Sequence, residues 1–142
     1  MVIICRQPVY TWTWNHSVNA SDNKNISNKK KELKKLVKEK KYDSALSTGN
    51  EILKKNPDEN DVLFIIGGIY YMKGKYRTAI SYFEKSLKIA THDVEVLILT
   101  ANSYFRLGNF KQAVSCCDII KEIDPKNRAV KELLEKIDSV KK

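Results

Sequence analysis

The residues best suited to chemistry in this sequence are three cysteines and two histidines, and their spacing argues against catalysis. Cys116 and Cys117 are adjacent to each other, whereas Cys5 lies far upstream. His16 and His92 are far apart and lack metal-ligand spacing. A cysteine nucleophile needs a nearby base, and no histidine accompanies the cysteine pair. We therefore predict no catalytic residue, no metal site, no cofactor and no enzymatic activity.

Other features of the chain also favour structural over catalytic interpretations. Gly67-Gly68 falls inside a predicted helix and lacks the spacing and the following Lys-Ser/Thr of a phosphate-binding loop. Three cysteines cannot build a disulfide framework and suit a reducing compartment. The N-terminus does not read as a signal peptide, and the longest apolar stretches, Val62–Met72 and Val96–Ala101, are well short of the ~20 residues of a membrane-spanning helix. We expect a cytoplasmic protein.

Composition and charge indicate a helical domain with a basic start. The chain is 42% hydrophobic and 30% charged, and it has only 5 Gly and 3 Pro, which favours long helices over a turn-rich β fold. Residues 26–59 carry ten basic and six acidic residues, whereas residues 94–127 carry four of each. A basic face attracts nucleic acid, anionic lipid or acidic peptide, but it can equally be a solvated, lysine-rich helix surface.

The elements that position these residues repeat every 34 residues. The shift places Tyr70 on Tyr104, Gly74 on Gly108 and Ala79 on Ala113. Within each unit, apolar residues recur at intervals of three and four, and glycine marks a stop between two such segments. The pattern predicts pairs of antiparallel helices joined by a short turn. Small residues, including Gly67 and the alanines at 45, 79 and 113, let paired helix axes approach closely.

The run from Gly67 through Tyr70, Gly74 and Ala79 to Phe83 resembles the tetratricopeptide repeat, and the run 101–125 resembles it again. The resemblance implies an all-α fold, an α-α superhelix (solenoid) of three helix-turn-helix repeats with a C-terminal capping helix. We expect an N-terminal extension at 1–25, a degenerate first repeat at 26–59, further repeats at 60–93 and 94–127, and the capping helix at 128–142. Residues 15–28 are interpreted as a flexible linker because they are polar.

In proteins with this repeat, the first helix of each pair lines the concave side, which implies a groove here. The predicted groove residues are Lys30, Lys34, Val37, Lys38, Phe64, Gly68, Tyr71, Met72, Ile98, Asn102, Phe105 and Arg106. Five of them are large and apolar yet lie outside the predicted packing stripe of Leu63, Ile66 and Tyr70, which is typical of a binding site. The alternative is that the N-terminal extension or the capping helix covers them. The expected partner is a protein that contributes a peptide or helix with apolar anchors and acidic flanks.

Three further possibilities follow from the same residues. One mode known in this family clamps a C-terminal carboxylate, but Ile65, Glu95 and Leu99 occupy later clamp positions, so we do not expect it. Nucleic-acid or polyanion binding through the lysine-rich first helix, with Trp12 and Trp14 stacking on bases, is the main alternative. Self-association through these tryptophans and the groove, as an assembly scaffold, is another.

Overall fold

A computed structural model of the chain describes the backbone of residues 20–141 and the side chains of residues 23–141. Over this range the chain forms seven α-helices and no strand. The helices are α1 (Ala20–Lys38), α2 (Tyr42–Lys55), α3 (Asn60–Met72), α4 (Tyr76–Ile89), α5 (Val94–Arg106), α6 (Phe110–Ile123) and α7 (Arg128–Lys141). They form three successive helix pairs followed by a single helix. The predicted all-α repeat solenoid is confirmed.

In each of the three pairs, one turn of the same geometry joins the two helices. In the second and third pairs, Gly74 and Gly108 adopt φ values of 80° and 78°. The amide of the following residue donates to the carbonyl five residues earlier, as in Lys75 to Tyr70 at 2.9 Å, which satisfies a free carbonyl at the helix end. The first pair uses the same turn but places Lys40 there, at φ 61°. This non-glycine residue carries the steric cost of a left-handed conformation.

The close approach of paired helices depends on the small residues that the sequence singled out. Ala45, Ala79 and Ala113, at equivalent positions of the three pairs, are all fully buried. A Cβ built on Gly67 would lie 2.6 Å from a ring carbon of Phe83, so only glycine lets α3 pack this closely on α4. The predicted role of these small residues as spacers is therefore confirmed.

Each helix packs on its sequence neighbours, and the first helices of successive pairs also meet. α3 contacts α5, and α5 contacts α7. Because α3 lies against three other helices, it buries Val62 and Ile69 in addition to the predicted Leu63 and Ile66. The closing helix α7 buries three residues against α5 and α6, which are Val130, Leu133 and Ile137. The apolar residues of α7 that recur at helical spacing therefore face the preceding helix pair.

The beginning of the first repeat differs from the prediction. Helix α1 starts at Ala20, so residues 20–28 belong to a helix and not to a flexible linker. The reason is Ile26, which lies two helical turns before Leu33 and packs with it into the first core cluster at 8% exposure. A single apolar side chain thus anchors a segment that is otherwise polar. The rest of the predicted extension, including Trp12 and Trp14, lies outside the described residues.

Candidate functional site

The predicted groove residues lie on the first-helix face, by which we mean the surface formed by α1, α3 and α5 at these twelve positions. None of the twelve is fully buried. Four are exposed, which are Lys34, Lys38, Met72 and Arg106. The other eight are half-buried, which are Lys30, Val37, Phe64, Gly68, Tyr71, Ile98, Asn102 and Phe105. A face of this kind offers apolar area and positive charge together.

Two aromatic residues expected to be free for a partner close the helix-helix turns instead. Tyr71 meets Tyr76 edge-on, with ring centroids 5.4 Å apart and planes at 79°. Phe105 meets Phe110 in the equivalent place of the next pair, at 5.7 Å and 47°. Each ring therefore packs against the first residue of the following helix, and such a pair contributes about 0.5–1.5 kcal/mol beyond its area burial. The expectation that these rings are unused by the fold is wrong.

Phe64 and Ile98 are also partly used by the fold. Phe64 tilts against the buried ring of Phe83 at a centroid distance of 6.3 Å, and Ile98 packs on the core formed by α5, α6 and α7. Met72 is the one predicted apolar groove residue that is largely exposed, at 67%. The apolar residues of this face are therefore partly used by the fold, and all of them except Met72 are only partly available to a partner.

Gly68 is the glycine of the first-helix face, and the space that a side chain would occupy there is open. A Cβ built on it would meet nothing within 4 Å, whereas the same atom on the adjacent Gly67 would collide with Phe83. In helix α3 the half-buried Phe64 and the exposed Met72 lie one turn before and one turn after Gly68. The absence of a side chain between them leaves bare helix backbone at the surface. A partner chain can approach the helix backbone more closely at a glycine than at any other residue type.

The positive charge on this face is partly neutralised within the chain. Lys30 forms ion pairs with Glu59 and, at 4.0 Å, with Asp61, which ties α1 to the start of α3. Lys29 donates to Glu51 at 2.7 Å and lowers the pKa of that carboxyl. Lys34 is exposed, in contrast to Lys30, and so it remains accessible to an acidic ligand. Lys30, predicted to meet the ligand, is therefore engaged by the fold.

An edge contact fixes the end of α3 where Met72 lies. The Tyr42 hydroxyl lies 3.7 Å from the Met72 sulfur and can donate to it. Beside them, Lys73 donates to Asp43 at 2.8 Å. This hydrogen bond and the lysine charge lower the pKa of the Asp43 carboxyl. These contacts join the start of α2 to the end of α3, so the exposed Met72 is presented from a defined position.

The environment of the cysteine pair is unfavourable for nucleophilic chemistry. Burial, together with the neighbouring Cys117 and Glu84, raises the pKa of Cys116 to about 11. The thiol is therefore protonated near neutral pH, and a protonated thiol is a poor nucleophile. Cys117 is fully buried. Among residues 23–141 no three potential metal ligands come together, and none of the described helices is long and apolar enough to cross a membrane.

The structure also has a cleft that sequence reasoning missed. It measures about 660 Å³ and lies between α2 and α4, and its lining includes none of the twelve residues of the first-helix face. Leu53, Tyr82 and Ile89 contribute to its lining. Ile89 is 45% exposed. Its position at the end of a helix stripe, next to lysines, was the sequence signal that could have revealed the cleft. We refer to this cavity as the α2–α4 cleft.

Comparison with known proteins gives the chain a family and a fold. The family model described as anaphase-promoting complex, cyclosome, subunit 3 matches residues 38–118, which is 81 of 142 residues. No curated protein sequence matches the chain.

Several solved structures share the fold. The first TPR of Spaghetti (RPAP3), bound to the HSP90 peptide SRMEEVD, superposes with a TM-score of 0.75 at 18% identity, over 81% of this chain and 91% of that one. The Hsp90 co-chaperone Cns1 from Saccharomyces cerevisiae gives 0.77 at 21%, over 88% and 42%. The TPR2B domain of yeast Sti1, in a complex with pHsp70, gives 0.71 at 15%, over 80% and 96%. At these identities the likeness shows the tetratricopeptide fold alone.

Proposed function

The chain belongs to the family described as anaphase-promoting complex, cyclosome, subunit 3, and we propose that it is a non-enzymatic protein-interaction module that binds a partner peptide or helix on its first-helix face. The ligand carries an apolar anchor and acidic flanks. We also propose that it acts as an adaptor in the cytoplasm. The likeness to repeat domains whose structures contain Hsp90 or Hsp70 peptides supports a protein ligand.

The observation that carries the proposal is the open backbone at Gly68. Glycine inside a helix costs roughly 0.5–1 kcal/mol relative to alanine, and the space around this position would accommodate a methyl group. The fold therefore gives no reason for glycine here, in contrast to Gly67. Close approach of a ligand to the helix backbone does give a reason. Phe64 and Met72 on either side supply apolar area for an anchoring side chain.

Charge sets the expected character of the ligand's flanks. Lys34 and Lys38 are exposed on α1, and Arg106 is exposed in the last turn of α5. These residues bracket Gly68 from the first and third helix pairs. Acidic residues on either side of the anchor would meet them, which favours association kinetics and orientation more than raw affinity.

A carboxylate clamp is not part of this proposal. Lys30, a candidate clamp cation, is paired with Glu59 and Asp61. Leu99 is apolar, and Glu95 is acidic and exposed. A ligand carboxyl terminus would therefore meet no full set of cations. We expect affinity for the SRMEEVD peptide to change little when its terminal carboxylate is amidated, and a large loss on amidation would instead indicate a clamp.

The test uses variants that leave the core intact. Ligands captured from native lysate by the wild-type chain are compared with those captured by Gly68→Leu and by Met72→Glu. Ile119→Glu is the matched control, because Ile119 is 41% exposed and lies on α6. We expect one set of proteins to be lost with both face variants and retained by the control. If all three variants capture the same proteins as wild type, the first-helix face is not the binding site.

Polyanion binding remains the second candidate because α1 exposes a row of lysines, which are Lys31, Lys34, Lys35 and Lys38. A salt titration separates the two functions. The logarithm of polyanion affinity falls linearly with the logarithm of the salt concentration, and the slope is proportional to the number of neutralised phosphates. It would be lost in Lys34→Ala/Lys38→Ala and kept in Gly68→Leu, the reverse of what groove binding requires. Self-association is tested by light scattering on both variants.

A further inference from the structure

We propose that the α2–α4 cleft is a second docking site, which takes a bulky apolar side chain of another protein flanked by acidic residues. Its lining comes mainly from α2, α4 and the loop after α2 and includes none of the twelve residues of the first-helix face. It is therefore a separate surface and does not depend on the function proposed for that face. A cavity of about 660 Å³ is in the range of ordinary ligand sites, roughly 300–1,000 Å³. One leucine, phenylalanine or tryptophan side chain fits within this volume.

Leu53, Leu63, Tyr82 and Ile89, together with Pro57, form the apolar part of the cleft lining. Leu63 forms part of the lining and is almost fully buried, at 2% exposure, while Leu53 is half-buried on the α2 side. On the α4 side, Tyr82 stacks on Tyr70 at 5.6 Å with planes at 11°. Burial, followed by the nearby Tyr70, raises the pKa of Tyr82, so its hydroxyl remains uncharged. Ile89 completes the wall with nearly half of its surface open.

The rim of the cleft is positively charged. Lys54, Lys85 and Lys88 line it, whereas Asp58 is its one acidic residue. Within residues 23–141, none of the three ammonium groups lies in an ion pair. Lys85 lies over the Tyr82 ring, with its nitrogen 5.2 Å from the centroid. Unpaired lysines around an apolar floor complement an acidic segment with an apolar centre, which identifies the class of occupant.

The same charge argues against the chain's own N-terminal segment as the occupant. Residues 1–19 include Trp12 and Trp14, which would suit an apolar cleft, but they contain no Asp or Glu. Its one Lys or Arg is Arg6. The segment therefore brings no negative charge to offset the three lysines. A separate protein with acidic residues answers both the shape and the charge.

The experiment selects displayed random peptides on the full chain at low salt. We expect the selected peptides to share one bulky apolar residue with acidic neighbours. Their affinity should fall by roughly tenfold or more for Ile89→Glu and for Lys85→Glu/Lys88→Glu. Ile123→Glu is the matched control, since Ile123 is 39% exposed and occupies the position 34 residues after Ile89 on α6. Binding to this control should be unchanged.

Four results would overturn the proposal. Peptides without acidic residues would remove the charge argument, and equal affinity for wild type and both cleft variants would place binding elsewhere. Displacement by a synthetic peptide of residues 1–19 would make the N-terminal segment the occupant. Peptides lost with Met72→Glu but kept by the cleft variants would support the first-helix face and contradict the cleft. Thermal unfolding shows whether each variant is folded. If Ile89→Glu is unstable, Lys85→Glu/Lys88→Glu alone tests the proposal.

Discussion

Gly67 and Gly68 are neighbours in α3, yet the structure requires opposite effects when each is replaced by alanine. Inside a helix this change contributes about 0.8–1.0 kcal/mol of helix propensity at either position. At Gly68 the added methyl group meets nothing within 4 Å, so we expect Gly68→Ala to raise the free energy of unfolding by about that amount. At Gly67 the added atom would lie 2.6 Å and 2.8 Å from two ring carbons of Phe83.

The clash at Gly67 has no inexpensive remedy. Phe83 is fully buried, so its ring cannot turn into solvent to make room. Forcing an extra carbon into a packed core costs about 1–3 kcal/mol. Because the propensity gain is common to both variants, Gly67→Ala should be less stable than Gly68→Ala by this full amount. Urea unfolding followed by far-UV circular dichroism measures both variants against wild type.

A third variant tests the cause of the difference. Phe83→Leu removes the ring that Gly67→Ala would strike, so the penalty of Gly67→Ala should shrink in that background. Coupling between contacting residues is about 0.5–3 kcal/mol in such a cycle. Equal stabilities of Gly67→Ala and Gly68→Ala, or a penalty unchanged by Phe83→Leu, would refute the close packing of α3 on α4.

Other predictions concern the first turn and two groups with shifted pKa values. Lys40→Gly relieves a left-handed strain of about 1–2 kcal/mol and adds about 0.5–1 kcal/mol of glycine entropy, so the free energy of unfolding should rise by about 0.5–1 kcal/mol; Lys41→Gly, at φ −86°, should give no gain. In a Cys5→Ser variant, iodoacetamide should modify Cys116 at pH 8 roughly a hundredfold more slowly than a thiol with a pKa of 9.0. Mass spectrometry measures the rate of modification, and a rate equal to that of free cysteine would contradict the burial of Cys116. Burial, followed by the Glu84 hydrogen bond, raises the pKa of Tyr104 from 10.0 to about 12, so stability should fall as pH rises through this window, and less steeply in Tyr104→Phe; identical alkaline melting curves would exclude this contribution.

The repeat and its spacers could be predicted because they depend on local spacing. Glycine at 74 and 108 and alanine at 45, 79 and 113 recur every 34 residues, and each recurrence reports the same turn or the same close contact. The first turn escaped prediction because Lys40 fills a position where glycine is expected. The start of α1 was not predicted because Ile26 is a lone apolar residue in a polar segment, and only the structure shows that it packs into the core cluster that contains Leu33.

The character of the candidate face could be predicted less well, since it depends on which way side chains lean. Tyr71 and Phe105 occupy groove positions in the repeat, but their rings turn to Tyr76 and Phe110 across the turn. The 34-residue spacing of these two pairs was present in the sequence and indicated a shared structural role. The α2–α4 cleft was harder to foresee, because it arises between helices of different repeats and Ile89, at the end of a helix stripe, was its one sign in the sequence.

The most direct test of the central claim is site-specific photo-crosslinking at Gly68. A benzophenone amino acid at this position has open space around it, so the fold should tolerate it. The same amino acid at Ile119, which is 41% exposed on α6, provides the comparison. Binding on the first-helix face predicts a discrete crosslinked partner from position 68 in native cells and none from position 119. Crosslinks from position 119 alone, or none from position 68, would contradict it.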